Sequence, residues 1–239
     1  MDNSLLQKAL DTVVRVGDGR GFVVEGRGRY GGLDSDRYVV TAAHCLPSVP
    51  PCCSASPLKE RIYENLLAPL GEQGSIWCEC EFLDPIADIA VLGQPDYDVL
   101  GKQAADYDML VQAATPLMIA DPPSKAVPGE VPRQCPAFVL SLDRRWFSCT
   151  VRRDPNDMLW ILDAGEGIVG GMSGSPIIAQ DCTAIGIVSM GQDTETGAPH
   201  IEDGPNPSLM ANLPGWLLRC LVLNRLEPEF RTPQEPPIS

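Results

Sequence analysis

Proline and glycine fall so densely in this chain that long regular elements have little room. The 239 residues include 23 prolines and 22 glycines, and the apolar runs between them are short. Proline removes a backbone donor and breaks helix interiors and central strands, and glycine marks turns. Short apolar runs bounded by such residues read as β-strands. The expected class is therefore all-β with many turns. The length suits one large β domain or a two-barrel unit, and it is enough to bury a real core.

Taken in order, strands are expected at Val13–Val16, 22–25, 38–42, 77–82, 89–92, 117–120, 138–142, 146–151, 159–162, 176–179 and 184–189. A short helix is expected over 3–10, where Leu5, Leu6 and Leu10 share a face and Asn3 or Ser4 can cap. Leu58, Ile62, Leu66 and Leu70 recur at every fourth residue, which predicts an amphipathic helix ending near Pro69, with a strand insertion as the alternative. Residues 93–114 read as a connection, 121–136 as a proline-rich loop or edge, and 191–207 as a polar acidic loop. Residues 209–226, with Trp216, Leu217, Leu218 and Leu221, read as a closing helix. The proline-rich end is expected to be disordered. No internal repeat is visible.

The formal net charge of −14 argues against a nucleic-acid partner. Arg144, Arg145, Arg152 and Arg153 are too few to reverse this and read as a solvated hairpin face. No apolar run is long enough to span a bilayer. The first residues lack a basic stretch followed by an apolar one, so no signal peptide is expected and the cytoplasm is the expected location. Nine cysteines are present. Cys52-Cys53 and Cys78-x-Cys80 lack the C-x-x-C spacing of zinc sites, and His200 is distant, so thiols rather than a metal centre are expected. No metal and no cofactor is expected.

Three stretches carry chemistry. Gly170, Gly171, Met172, Ser173, Gly174, Ser175 and Pro176 place a serine in a glycine turn. A serine hydroxyl becomes a useful nucleophile only when a base takes its proton, and acyl transfer also needs donors aimed at the developing oxyanion. Thr41, Ala42, Ala43, His44 and Cys45 follow an apolar run and offer the base. Asp88, at the head of Ile89, Ala90, Val91 and Leu92, offers a carboxylate to orient it. Each has a rival: Ser175 for the nucleophile, His200 for the base, Asp84 for the carboxylate.

These stretches, in the order His, Asp, Ser, resemble the trypsin/chymotrypsin family of serine proteases over roughly residues 12–226. The likeness is nearest to bacterial trypsin-like peptidase domains that lack a secretion signal. The resemblance implies two six-stranded antiparallel β-barrels, at 12–105 (His, Asp) and 115–207 (Ser), a C-terminal helix at 208–226 and a tail at 227–239. It implies a serine endopeptidase with catalytic His44, Asp88 and Ser173, the nucleophile being the first serine of G-x-S-G-S-P. Gly171 and Ser173 would supply the oxyanion-hole N–H groups. Ser189, Met190 and Gly191 match the strand that pairs with the substrate backbone, and Met190 stands where many relatives have tryptophan. Ile168, near Gly167 at the floor, would line an apolar specificity pocket. The partner is then a protein or peptide substrate cut after small or medium apolar residues. Cleavage after Arg or Lys is the competing expectation, with Glu166, Asp193 or Glu195 reaching the pocket. Secreted relatives carry an aspartate where Met172 stands, and a freshly cut N-terminus pairs with it. A thioether cannot do so, so control is expected through loop order or a regulatory protein partner. Two alternatives remain: a non-catalytic peptide-binding module on the same groove, and an esterase.

Overall fold

The computed structural model describes residues 3–27, 35–51, 60–122, 134–190 and 202–218. After helix α1 (Asn3–Leu10) come strands β1 (Val13–Val16), β2 (Gly19–Arg27) and β3 (Ser35–Thr41), then a single 3-10 turn (Ala43–Cys45). Strands β4 (Ile62–Pro69), β5 (Ile76–Asp84) and β6 (Ile89–Gly93) lead to helix α2 (Tyr97–Gln112). The rest is built from β7 (Gln134–Leu140), β8 (Trp146–Arg153), β9 (Met158–Leu162), β10 (Pro176–Ala179), β11 (Ala184–Ile187), β12 (Glu202–Pro207) and a short helix α3 (Leu209–Asn212). The fold is all-β in its framework, as expected. Six strands close into a barrel in the order β1-β2-β3-β6-β5-β4, and six more form a second sheet in the order β11-β10-β7-β8-β9-β12. The two edges of that second sheet approach each other, with an antiparallel bridge between Gly186 and Ser208.

Successive side chains of a strand point to opposite faces. Here both faces of several strands are buried, which is why they read as unbroken apolar runs rather than as alternation. In β2 and β3, Val23 and Val39 point into the first barrel, beside Val14, Val16, Leu67 and Leu92. Their neighbours Phe22, Val24 and Val40 point the other way, into a core shared with Leu140, Ile178 and Ile187 of the second sheet. In β10, Ile177 faces the interior of the second sheet and Ile178 the shared core. Full burial of one such side chain is worth about 1.5–3 kcal/mol. The shared core packs the barrel and the second sheet against each other, and the candidate site residues lie at that junction.

Four local expectations are corrected. The helix expected over 58–70 is strand β4 where it is described, and Leu58 lies outside the described residues. Asn65 sits at φ 55° and the pairing register with β5 shifts between Tyr63 and Leu67. The fourfold spacing of Ile62, Leu66 and Leu70 fits a helix, but it is also a multiple of the two-residue strand period, so it does not exclude a strand. Residues 202–207, read as loop, form β12 against β9, although the sequence EDGPNP has no strand pattern. Residues 117–120 form no strand. Leu117 N–H donates to Val23 O at 2.9 Å and Ala120 N–H to Ala184 O at 3.0 Å, so the segment stitches the two sheets together. The closing helix is interrupted: α3 stops at Asn212, and helix resumes at 215–218 after Leu213 and Pro214. Proline cannot continue a helix from the preceding turn, and residues 219–226 lie outside the described residues, as does the tail. Within the connection 93–114, α2 was not foreseen. Asp96 caps it by accepting from Asp98 N–H at 3.0 Å. Ala104, Tyr107 and Val111 form its buried stripe.

Candidate active site

His44 lies in the 3-10 turn that ends β3, because the chain must leave the barrel there. Asp88 sits in the turn before β6, with φ 58°. Aspartate is among the residues that tolerate this left-handed region, through its short polar side chain. β3 and β6 are adjacent in the barrel, with Thr41 paired to Ala90. That pairing brings the two side chains together although 44 positions separate them. Asp88 Oδ2 lies 2.7 Å from His44 Nδ1, and Asp88 Oδ1 accepts the His44 backbone N–H at 2.9 Å. Ser189 Oγ donates a short hydrogen bond to the same Oδ2.

The electrostatics follow from these contacts. The hydrogen bond to Asp88 raises the His44 pKa above its ordinary 6.5, against the opposing effect of burial. Burial pushes Asp88 upward, but the hydrogen bonds from the His44 ring, Ser189 and the His44 backbone outweigh it, so its pKa is lowered. The contact itself orients the ring: in the neutral imidazole Nδ1–H points to the carboxylate, which leaves Nε2 as the proton acceptor. The rival carboxylate, Asp84, is spent locally on the backbone N–H groups of Ile86 and Ala87.

Ser173 stands on the other side of the junction. Arg20 N–H donates to Ser173 O at 2.8 Å, Gly174 N–H to Val188 O at 2.7 Å, and Ser175 N–H to Met172 O at 3.0 Å. The turn is therefore clamped by β2 on one side and by the segment after β11 on the other. Two of its glycines are needed for conformation. Gly171 has φ 88° and Gly174 φ 80°, a region that L side chains rarely adopt. A Cβ at Gly174 would also lie 1.8 Å from Arg20 O. Gly174→Ala should therefore cost at least the roughly 1–3 kcal/mol of left-handed strain, before any clash is counted. A urea melt would measure it, and a loss below 1 kcal/mol would contradict this backbone geometry.

Gly171 and Ser173 face the cleft, and among the described residues neither backbone N–H has an acceptor. Unpaired adjacent N–H groups beside a serine hydroxyl are what an oxyanion would need. Ser173 and His44 line the same two clefts, although no hydrogen bond joins Ser173 to His44 in this structure. The rival Ser175 is fully buried and its Oγ accepts from Arg20 Nη1 at 3.5 Å, so it cannot meet a substrate. Cys45 also lines the cleft, but burial pushes its thiol up to about 11, leaving no reactive thiolate near neutrality.

The smaller cleft, about 280 Å³, is lined by Ile168, Val169, Gly170, Val188, Ser189 and Met190 in addition to His44 and Ser173. Ile168 and Met172 are buried in the core of the second sheet, whereas Met190 is exposed. Glu166 is absent from that lining and pairs with Arg145 at 3.2 Å instead. The larger cleft, about 400 Å³, runs to the other side of Ser173 past Gly17, Asp18, Leu46, Pro47 and Leu66. No local sequence signal marks that second lining or the Ser189 contact with Asp88. Gly191, Asp193, Glu195 and His200 lie outside the described residues.

No family model matches the chain, and no curated protein matches it. A similar solved structure is the apo form of the MamO protease domain from Magnetospirillum magneticum. It has a TM-score of 0.46 and 14% sequence identity, covering 85% of this chain and 95% of that one. No helix among the described residues is long and apolar enough to cross a membrane.

Proposed function

We propose that the chain is a serine endopeptidase. The observation that carries this reading is the His44 Nδ1–Asp88 Oδ2 contact at 2.7 Å, in clefts that His44 shares with Ser173 and two unpaired N–H groups. Ser173 Oγ adds to the scissile carbonyl carbon while its proton passes to His44 Nε2. Asp88 stabilises the imidazolium, and the Gly171 and Ser173 N–H groups hold the oxyanion. Collapse breaks the C–N bond, and His44 returns the proton to the leaving amine. Water then adds to the acyl-enzyme with His44 as base, releasing the acid and restoring the Ser173 hydroxyl. A peptide would pair with the backbone at Ser189 and Met190 after the end of β11, and Gly191 lies outside the described residues. Cys45, Cys78, Cys80, Cys135 and Cys149 are thiols outside any disulfide, which supports a reducing compartment such as the cytoplasm.

A second reading, a non-catalytic peptide-binding module, draws on the missing Ser173–His44 hydrogen bond. Such bonds are often long before substrate arrives, so the first reading is preferred. A fluorophosphonate probe separates the two: the unmodified protein should be labelled and Ser173→Ala should not. No labelling of the unmodified protein under conditions where it is folded would favour the binding module.

Primary specificity follows from the smaller cleft. Ile168, Val169, Val188 and Met190 supply its apolar side chains, polar atoms of the backbone and of His44, Ser173 and Ser189 face it as well, and no carboxylate among the described residues lines it. An apolar pocket gains about 0.8 kcal/mol per buried CH₂ and penalises an unpaired charge. A peptide library should therefore be cut after small or medium apolar residues, and Glu166→Gln should leave that profile unchanged. Cleavage mainly after Arg or Lys would overturn this assignment.

A further inference from the structure

One buried side chain holds the segment that carries Ser189, and nothing in the triad pattern predicts it. Asn206, on β12, is fully buried. Its Oδ1 accepts the Ser189 N–H at 2.8 Å and the Met190 N–H at 3.3 Å. Its Nδ2 donates to Leu159 O at 3.4 Å and Asp203 O at 3.2 Å. A carboxamide has one acceptor oxygen and two N–H donors, and here all of them are used. The orientation of the amide is thus fixed, since two backbone donors on one side demand the oxygen there.

Consecutive N–H groups of a regular strand point to opposite sides. Two of them on a single oxygen mean that the chain has left the course of β11 at this point, where the Ser189 hydroxyl meets Asp88. The residue before is held by a different element: Val188 N–H donates to Ser175 O at 2.9 Å, and Val188 O accepts from Gly174. The nucleophile turn grips Val188, and Asn206 grips the next two residues. Met190 then forms one wall of the smaller cleft.

We infer that Asn206 is a positioning residue of this site, aiming the Ser189 hydroxyl at Asp88 and setting the Met190 wall through their two N–H groups. The inference rests on the triad reading above, but its test does not require turnover. The ionisable groups facing His44 are Asp88 beneath it, Asp18 across the larger cleft and the Cys45 thiol beside it. Asn206 has no hydrogen bond to any of them, so an effect on His44 must pass through Ser189.

The experiment is an NMR titration of the imidazole protons of the full chain. Only two histidines are present, and His200→Gln assigns them. Ser189 and His44 both donate to Asp88 Oδ2. Loss of one donor leaves more of that oxygen's charge to the other, so Asn206→Ala should raise the His44 midpoint. Ser189→Ala should raise it equally, and the double variant no further. Asn206→Ala should also lower kcat/KM by about tenfold. Absence of peptidase activity in the unmodified protein would count against the proposed function and leave the titration readable. An unchanged or lowered His44 midpoint in folded Asn206→Ala, or additive shifts in the double variant, would overturn the inference. Hydrogen exchange on the unmodified protein provides a second measurement. The Ser189 and Met190 amides should exchange slowly, and rapid exchange at both would overturn the inference even if Asn206→Ala does not fold. If that variant does not fold while exchange is slow, Asn206→Ser, too short to hold both N–H groups, is titrated in its place with the same two outcomes.

Discussion

Ser173→Ala should lower kcat by on the order of 10⁶-fold while leaving the thermal midpoint almost unchanged. The stability half of this expectation comes from the structure. Ser173 Oγ has no hydrogen bond among the described residues, and the clamps on the turn are all made by backbone atoms. Removing an unpartnered hydroxyl from the wall of a cleft falls among the surface changes worth about 0.5 kcal/mol or less. Ser175→Ala should do the reverse. Its hydroxyl is buried against Arg20, so its loss should destabilise the protein by about 1 kcal/mol and leave the chemistry largely intact. Paired melts and single-substrate kinetics on the two variants would check both halves. Retained turnover in Ser173→Ala with none in folded Ser175→Ala would reverse the assignment of the nucleophile.

Asp88→Asn should cost about 10⁴-fold in kcat. Asparagine tolerates the left-handed backbone at this position at least as well as aspartate does, so the loss would not come from strain. It would come from the imidazole. A carboxylate accepts Nδ1–H, whereas a carboxamide can present its own N–H and favour the wrong tautomer. The pH profile provides a second readout. In the unmodified protein, activity should rise with pH through a midpoint above 6.5, because the hydrogen bond to Asp88 raises the His44 pKa. In Asp88→Asn that rise should move to lower pH. Stability follows the same two groups. The lowered Asp88 pKa adds stability that is present above the ordinary carboxylate pKa of 3.8 and is lost as pH falls through the folded value. The raised His44 pKa adds stability that is present below 6.5 and is lost as pH rises through the folded value. Both contributions should be absent from Asp88→Asn in urea melts taken across pH. An unshifted activity profile would mean that another group orients the imidazole.

Much of the frame was legible because strand signals are local. Val13–Val16, the Gly-Asp-Gly turn and the strands ending at Thr41 and starting at Ile89 all appear where apolar runs meet turn residues. The candidate site residues stood out for a different reason. Serine-based acyl transfer calls for a serine in a permissive turn, a histidine and a carboxylate, and the chain holds only two histidines. What failed was equally physical. The apolar residues Ile62, Leu66 and Leu70 recur at every fourth position, a spacing shared by a helix and a strand, so the pattern alone did not identify β4. The strand β12 has no apolar alternation of its own and exists because β9 supplies its partners.

By itself the sequence determined the all-β class and its strand-and-turn punctuation. It also offered Ser173, His44 and Asp88 as candidates for the chemistry, each with a rival, since side-chain type and local backbone freedom are properties of short segments. Only the tertiary structure decided how those segments meet. The pairing of β3 with β6 puts Asp88 under His44, and burial takes Ser175 out of reach while leaving Ser173 at a cleft. Asn206 acquires its place only because β12 runs beneath Ser189 and Met190. Hydrogen bonds between residues far apart in the chain leave no periodic trace in either segment, so they become visible only when the sheets are closed and packed.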